Sequence, residues 1–394
     1  MLNWNRLIGG LRPAAVVLGL IALPAIAHAE GPAFKIDASW PKELPNNWVM
    51  GQVAGISIDE QDNVWVLHRP RSLTPAEAAA AGDKPTSKIC CKPAPSVLEF
   101  NQAGDLISAW GGPGGDAALG QVDIYNGQTV PRTDTSKLGY DWPSTEHGIL
   151  VRKGMVYLAG NGDTDGMILK FTTAGKFVAQ WGVVGKQTSS NDTTRFWKVA
   201  DMDYDPATNE IFVADGYGNK RVAVVDADSG KIKRYWGAYG QNPVDDTTLA
   251  VDNPKSKNFG SPVHCVTIAK NGDVYVCDRT NDRVQVFSKD GKFLREFAFE
   301  PETLGPGSTW GIAFSSLDPD QKYAIMTDGT NNQIVIWRVA DGQVVGRFGR
   351  AGHNAGQFSW VHYAKTDSKG NLYSGEVDVG KRMQKWTPAP AAVN

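Results

Sequence analysis

An internal repeat constrains this chain more than any other feature. An apolar strand, a tight polar turn, a second strand ending in an Asp/Asn-rich turn, a third strand, and a fourth closing on Trp-Gly or a similar pair recur along it. Residues 210–222 and 273–284 carry the middle of this unit and align almost residue for residue. The fourth strand returns at 105–111, 176–182, 231–237, 292–297 and 343–349, closing on Trp110, Trp181, Trp236, Phe297 and Phe348. A unit of four short strands cannot bury its apolar faces alone, so successive units must stack on one another.

One fourth strand is missing. The last repeat stops after its third strand, 382–386, whereas the segment from Phe34 to Trp40 has no repeat of its own. The N-terminal strand is therefore expected to complete the last unit, which removes the open sheet edges at the junction. The predicted fold is all-β, a six-bladed β-propeller spanning residues 30–390. The pattern Asp215, Asn219, Arg221, Val222 resembles the NHL repeat, and 43 glycines with 11 tyrosines and 13 tryptophans suit a turn-rich, aromatic-packed β fold.

Residues 1–29 have the three parts of a secretory signal: Arg6 and Arg12, an apolar run through Val16, Val17, Leu18, Ile21 and Leu23, then Ala27-His28-Ala29. Cleavage before Glu30 is expected, with a periplasmic or secreted product that keeps no membrane segment. The apolar stretch is short and interrupted by Pro24, which argues against a retained anchor. A net charge of −2 and the lack of a basic block exclude the electrostatic footprint of a nucleic-acid binder. The propeller is expected to act as a monomer.

Cys90, Cys91, Cys265 and Cys277 would enter an oxidising compartment. Cys265 and Cys277 mirror each other about the turn at 270–273, so they form either a cross-hairpin disulfide or two buried thiols. The adjacent Cys90 and Cys91 allow a vicinal disulfide or free thiols.

Loop length separates the two faces of the ring. Turns from first to second strands are short, as at 60–63, 270–273 and 368–371, whereas the opposite face carries the loops 69–96, 112–142, 183–195 and 238–260. Long loops concentrate function. The first contains Thr74 and Glu77 in a capping-box pattern, which predicts a short helix and a lid over the channel mouth.

Six histidines are present, and His28 falls in the signal segment. His147, His264 and His362 occupy one equivalent position, the entry of an innermost strand, in the second, fourth and sixth blades. Six-fold geometry sets them about 120° apart, converging on the axis at the long-loop face. Three neutral imidazoles leave a divalent ion its charge and one open position, the pattern of catalytic zinc. Arg69 and Tyr217 reach the same face. His68 and His353 are read as ordinary surface or loop residues.

At these residues the chain resembles the peptidyl-α-hydroxyglycine α-amidating lyases, through 52–59 leading to His68 and Arg69, through Glu146-His147-Gly148, Asp215 to Asn219, Ser261 to His264, and Trp360 to His362. The resemblance implies zinc, or another divalent transition metal, on His147, His264 and His362. It implies Tyr217 as the base acting on a metal-bound hydroxyl, Arg69 as the group that orients the substrate, and a small-molecule or peptide-derived carbinolamide as substrate. A phenol ordinarily titrates near 10 and needs a nearby cation to serve as base. The family's structural calcium takes a carboxylate directly after the last histidine, where this chain has Tyr363, which puts calcium in doubt; Trp360 stands where Met is usual. Two other function classes stay open: a non-catalytic binding module whose metal only pins the channel, and a propeller hydrolase or lactonase. The latter class favours calcium held by carboxylates and amides, which three histidines fit poorly.

Overall fold

In the second strands of the blades, Val64 to Leu67, Ile211 to Ala214 and Val274 to Cys277 are apolar without alternation and essentially solvent-free. Such runs arise where a strand is covered on both faces, here by the neighbouring blades. The outermost strand of the fourth blade, Phe293–Ala298, instead alternates half-buried and exposed residues, because one face meets water. The computed structural model describes residues 31–390 other than 83, 114–121, 126–127, 132–138, 186–188 and 246–252. The expected signal segment, 1–29, lies outside them.

The strands form six antiparallel sheets arranged as blades. Counting strands a to d from channel to rim, strand a is Gln52–Ile58 in blade one, Glu146–Arg152 in two, Asp201–Asp205 in three, Val263–Ile268 in four, Gly311–Phe314 in five and Val361–Thr366 in six. The closure expected from the sequence is present. Ala33–Asp37 pairs antiparallel with Met383–Ala389 as the fourth strand of blade six, with Ile36 opposite Trp386. Phe348 of blade five packs against both Phe34 and Trp386, at 5.5 and 4.8 Å between ring centroids, which seals the junction. The glycine after the closing aromatic is left-handed at Gly111, Gly182 and Gly349, a conformation that side chains resist.

The NHL motif has a mechanical role. Arg221 is fully buried, pairs with Asp215 at 2.9 Å, and donates to the carbonyls of Ser190, Asp192 and Arg195 in the loop entering its blade. Arg283 repeats this with Asp278 and the carbonyls of Pro254, Ser256 and Asn258. Arg382 does so with Glu376 and the carbonyls of His353 and Gln357. Irregular loop carbonyls lack a ladder partner, and a guanidinium supplies five donors to satisfy them.

Some expectations change. The loop 112–142 contains a hairpin, Val122–Tyr125 with Gln128–Pro131, that extends the blade-one sheet to six strands. Thr74 and Glu77 form the reciprocal capping bonds, yet the following residues make turns and no helix. The loop is held by Lys381 on Glu77 and by Arg71 on the carbonyls of Pro143 and Ser144. Both cysteine pairs are disulfides, Cys265–Cys277 joining directly opposed ladder positions. No helix among the described residues is long and apolar enough to cross a membrane.

Candidate metal centre

Each of the three histidines lies where the ladder between strands a and b loses register. His147 falls between Glu146 and Ile149, His264 between Val263 and Cys265, and His362 between Val361 and Tyr363. A bulge of this kind re-aims one side chain, here into the channel. All three rings are buried, and their candidate ligand atoms lie within 4.8 Å of one another. Ring planes cross at 82°, 69° and 86°.

The outer nitrogen of each ring is tied to the next blade. His147 Nδ1 lies 2.8 Å from the Ala200 carbonyl, His264 Nδ1 2.5 Å from that of Trp310, and His362 Nδ1 2.9 Å from that of Ala54. Ala54, Ala200 and Trp310 hold the histidine-equivalent position in blades one, three and five. A carbonyl accepts only, so every Nδ1 carries the proton and every Nε2 presents a lone pair to the centre. Burial first, and then neighbouring charge, holds all three imidazoles well below their ordinary range and so neutral; the charges are Arg69 and Arg279 and, for His362 first, the other histidines.

Three buried acceptors therefore face one another, with His264 Nε2 and His362 Nε2 3.2 Å apart. Among the described residues one donor is within reach: the Tyr217 hydroxyl lies 3.1 Å from Nε2 of both His147 and His264, and its single proton serves one at a time. The set is short of positive charge, which a cation would supply. Tetrahedral ligation at about 2.0–2.1 Å puts two nitrogens roughly 3.3 Å apart, close to the 3.2 Å between His264 and His362, while the three together lie within 4.8 Å. The donor set fits a transition metal of the zinc type.

Arg69 ends strand b of blade one, and its guanidinium is fixed on the Glu146 carbonyl, Gln52 Oε1 and Asn161 Oδ1 at 2.7, 2.8 and 3.2 Å. A second guanidinium, missed in the sequence, does more. Arg279 Nη1 donates to Tyr217 Oη at 3.0 Å, and its guanidinium carbon lies 4.2 Å over the Trp310 ring. The signal for it existed: Val64 to Arg69 and Val274 to Arg279 align as equivalent segments. Blades one and four are three steps apart in a ring of six, so the two arginines face each other across the mouth.

Tyr363 takes the place after the last histidine. Its ring stacks on His264 at 5.1 Å, and its buried hydroxyl lies 2.7 Å from the His264 carbonyl and 3.3 Å from that of Ala200. A phenol thus bridges channel carbonyls where a carboxylate would be needed for a hard cation. His353 is exposed, as expected. His68 is not: it is a fully buried strand residue, its Nδ1 accepting from Gly51 N–H at 3.1 Å and its Nε2–H donating to the Pro95 carbonyl at 2.9 Å. It belongs to the core, and takes no part in the metal cluster.

The NHL-repeat model matches residues 263–287, strands a to c of blade four. NHL repeat-containing protein 3 of Mus musculus is 25% identical over 91% of this chain and 85% of its own length. Peptidyl-glycine alpha-amidating monooxygenase B of Xenopus laevis is 25% identical over 51% of this chain, which spans 22% of that relative. Among solved structures, a streptogramin B lyase superposes with a TM-score of 0.50 over 90% of this chain and 98% of its own, at 13% identity, a likeness of fold alone. Repeat, closure and superposition together identify the chain as an NHL-repeat-bearing, six-bladed β-propeller.

Proposed function

We propose that this chain is an exported, metal-dependent lyase that cleaves the C–N bond of a carbinolamide, releasing an amide and an aldehyde. The observation that carries this reading is the convergence of three Nε2 lone pairs, two of them beside one phenol hydroxyl that is held by a guanidinium. A purely structural metal would need neither the phenol nor the arginines. The partial likeness to amidating monooxygenases supports the same reading. Export is supported by the signal pattern of residues 1–29 and by two disulfides, which suit an oxidising compartment.

Zinc or another divalent transition metal, held by His147, His264 and His362, would supply Lewis acidity at the substrate hydroxyl. Tyr217 Oη accepts the hydroxyl proton and gives its own to the departing nitrogen. The C–N electron pair goes to nitrogen, the carbon keeps its oxygen as a carbonyl, and no water is consumed. Arg279 holds the phenol oxygen in place, while Arg69, fixed at three points, attracts the anionic end of the substrate. The deciding experiment is metal analysis of the purified chain, followed by turnover of a peptidyl α-hydroxyglycine with and without chelator. A metal-bearing protein that turns over no carbinolamide would overturn the proposal.

A further inference from the structure

The mouth around the histidines has two chemically different arcs. At the equivalent position, the end of strand b or the residue just past it, blades one, two and four carry Arg69, Asn161 and Arg279, and Tyr217 follows the equivalent glycine of blade three. Blades five and six carry Gly329 and Val377 there, followed by Thr330, whose hydroxyl is spent on the Gly307 carbonyl, and by Asp378, whose charge acts on Arg69. A Cβ on Gly329 would come within 2.8 Å of the Trp310 ring, so the glycine makes room for an indole. Trp310 lies 5.5 and 5.6 Å from the rings of His264 and His362, and its N–H is spent on the Gly307 carbonyl.

Trp360 lies against Trp310, with ring centroids 5.6 Å apart. Its backbone is left-handed at φ 60° and is held there by Asn332 Oδ1, which accepts from Trp360 N–H, and by Val377 N–H, which donates to the Trp360 carbonyl. The side chain is half-buried, and its indole N–H has no partner among the described residues. A large ring left partly open beside a polar centre, on a second ring already braced by Arg279, is a stacking platform.

Resting on the lyase reading above, we propose that Trp360 on its Trp310 support determines specificity, and that the substrate carries a flat aromatic group on the side of blades five and six. Its polar, anionic end then faces Arg69. Apolar stacking on one arc and charge on the other orient the carbinolamide carbon between them.

The test uses the metal-loaded full chain and two unreactive probes that lack the hydroxyl, N-acetyl-phenylalanylglycine and N-acetyl-alanylglycine, measured by calorimetry. The aromatic probe should bind roughly tenfold tighter. Trp360→Ala should abolish that ratio while Trp360→Phe keeps most of it, with melting temperature and metal content checked in both. Equal affinities in the parent, or an unchanged ratio in Trp360→Ala, would overturn the proposal. The matching α-hydroxyglycyl compounds separate this idea from the lyase reading. Turnover without aromatic preference sinks the platform alone, whereas a Trp360-dependent binding ratio without turnover upholds the platform and sinks the lyase.

Discussion

Arg279 Nη1 lies 3.0 Å from Tyr217 Oη, although the two residues come from adjacent blades and are separated by 62 positions. The guanidinium occupies one lone pair of the phenol, so the hydroxyl proton is aimed into the histidine cluster. Position and proton direction are set by the same bond.

Removing the phenol oxygen should stop proton movement without disturbing the imidazoles. Tyr217→Phe is expected to lower kcat by about 10²- to 10⁴-fold, the usual worth of a positioned acid–base group. Metal content should stay at the parent level. Arg279→Lys keeps the charge but loses the planar fork, and should fall between parent and Tyr217→Phe. Undiminished turnover in Tyr217→Phe would remove the assignment.

Metal retention should depend on three histidines and not on the others. Alanine at His147, His264 or His362 is expected to cut occupancy after dialysis sharply, since each supplies one of the three convergent nitrogens. His353→Ala, at an exposed site, should leave occupancy alone. Elemental analysis decides, and equal occupancy across the four variants would break the link between geometry and metal.

His68 should make stability depend on pH. Burial holds its pKa down to about 4, below the ordinary 6.5. Above pH 6.5 neither folded nor unfolded chain protonates it, and its contribution to stability is fully present. As pH falls from 6.5 toward 4 the unfolded chain takes up a proton that the folded one refuses, so roughly 3 kcal/mol is lost across that window. His68→Asn should flatten the decline seen in urea melts at pH 7.5 and 4.5. Parallel curves for the two proteins would reject this role.

The Asp215–Arg221 clamp is expected to matter for stability and not for chemistry. Arg221→Met strands a buried carboxylate and leaves the carbonyls of Ser190, Asp192 and Arg195 without their donor. A loss of about 3–5 kcal/mol is expected on denaturant unfolding. Metal content of the remaining folded protein should be unchanged. A loss below about 1 kcal/mol, the range of exposed ion pairs, would mean the clamp is ornamental.

Much of the fold is legible in the sequence, and the exceptions have physical causes. Cys265 and Cys277 were visibly symmetric about their turn, but pairing required that they stand directly opposite in the ladder, a matter of register. Thr74 and Glu77 carry a helix-start pattern that forms its bonds and goes no further, because Lys381 holds Glu77 and the Cys91 carbonyl takes the Ala80 N–H that a helix would use. His68 looks like a loop-edge residue in sequence. It is core because Gly51 and Pro95 close over it from both sides.

What the sequence alone determined was the blade, its number and its closure, since strand periodicity, turn chemistry and the orphan N-terminal strand are local patterns repeated at regular intervals. It also marked His147, His264 and His362 as equivalent, because equivalence within a repeat is a sequence property. Only the tertiary structure decided that their Nε2 atoms meet, since that needs bulges in three separate ladders and a carbonyl from the following blade to claim each Nδ1. It likewise decided that Arg279 serves Tyr217 and that Trp360 rests on Trp310. Those pairings lie between blades, and contacts between blades depend on how the closed ring angles each sheet, which no single repeat encodes.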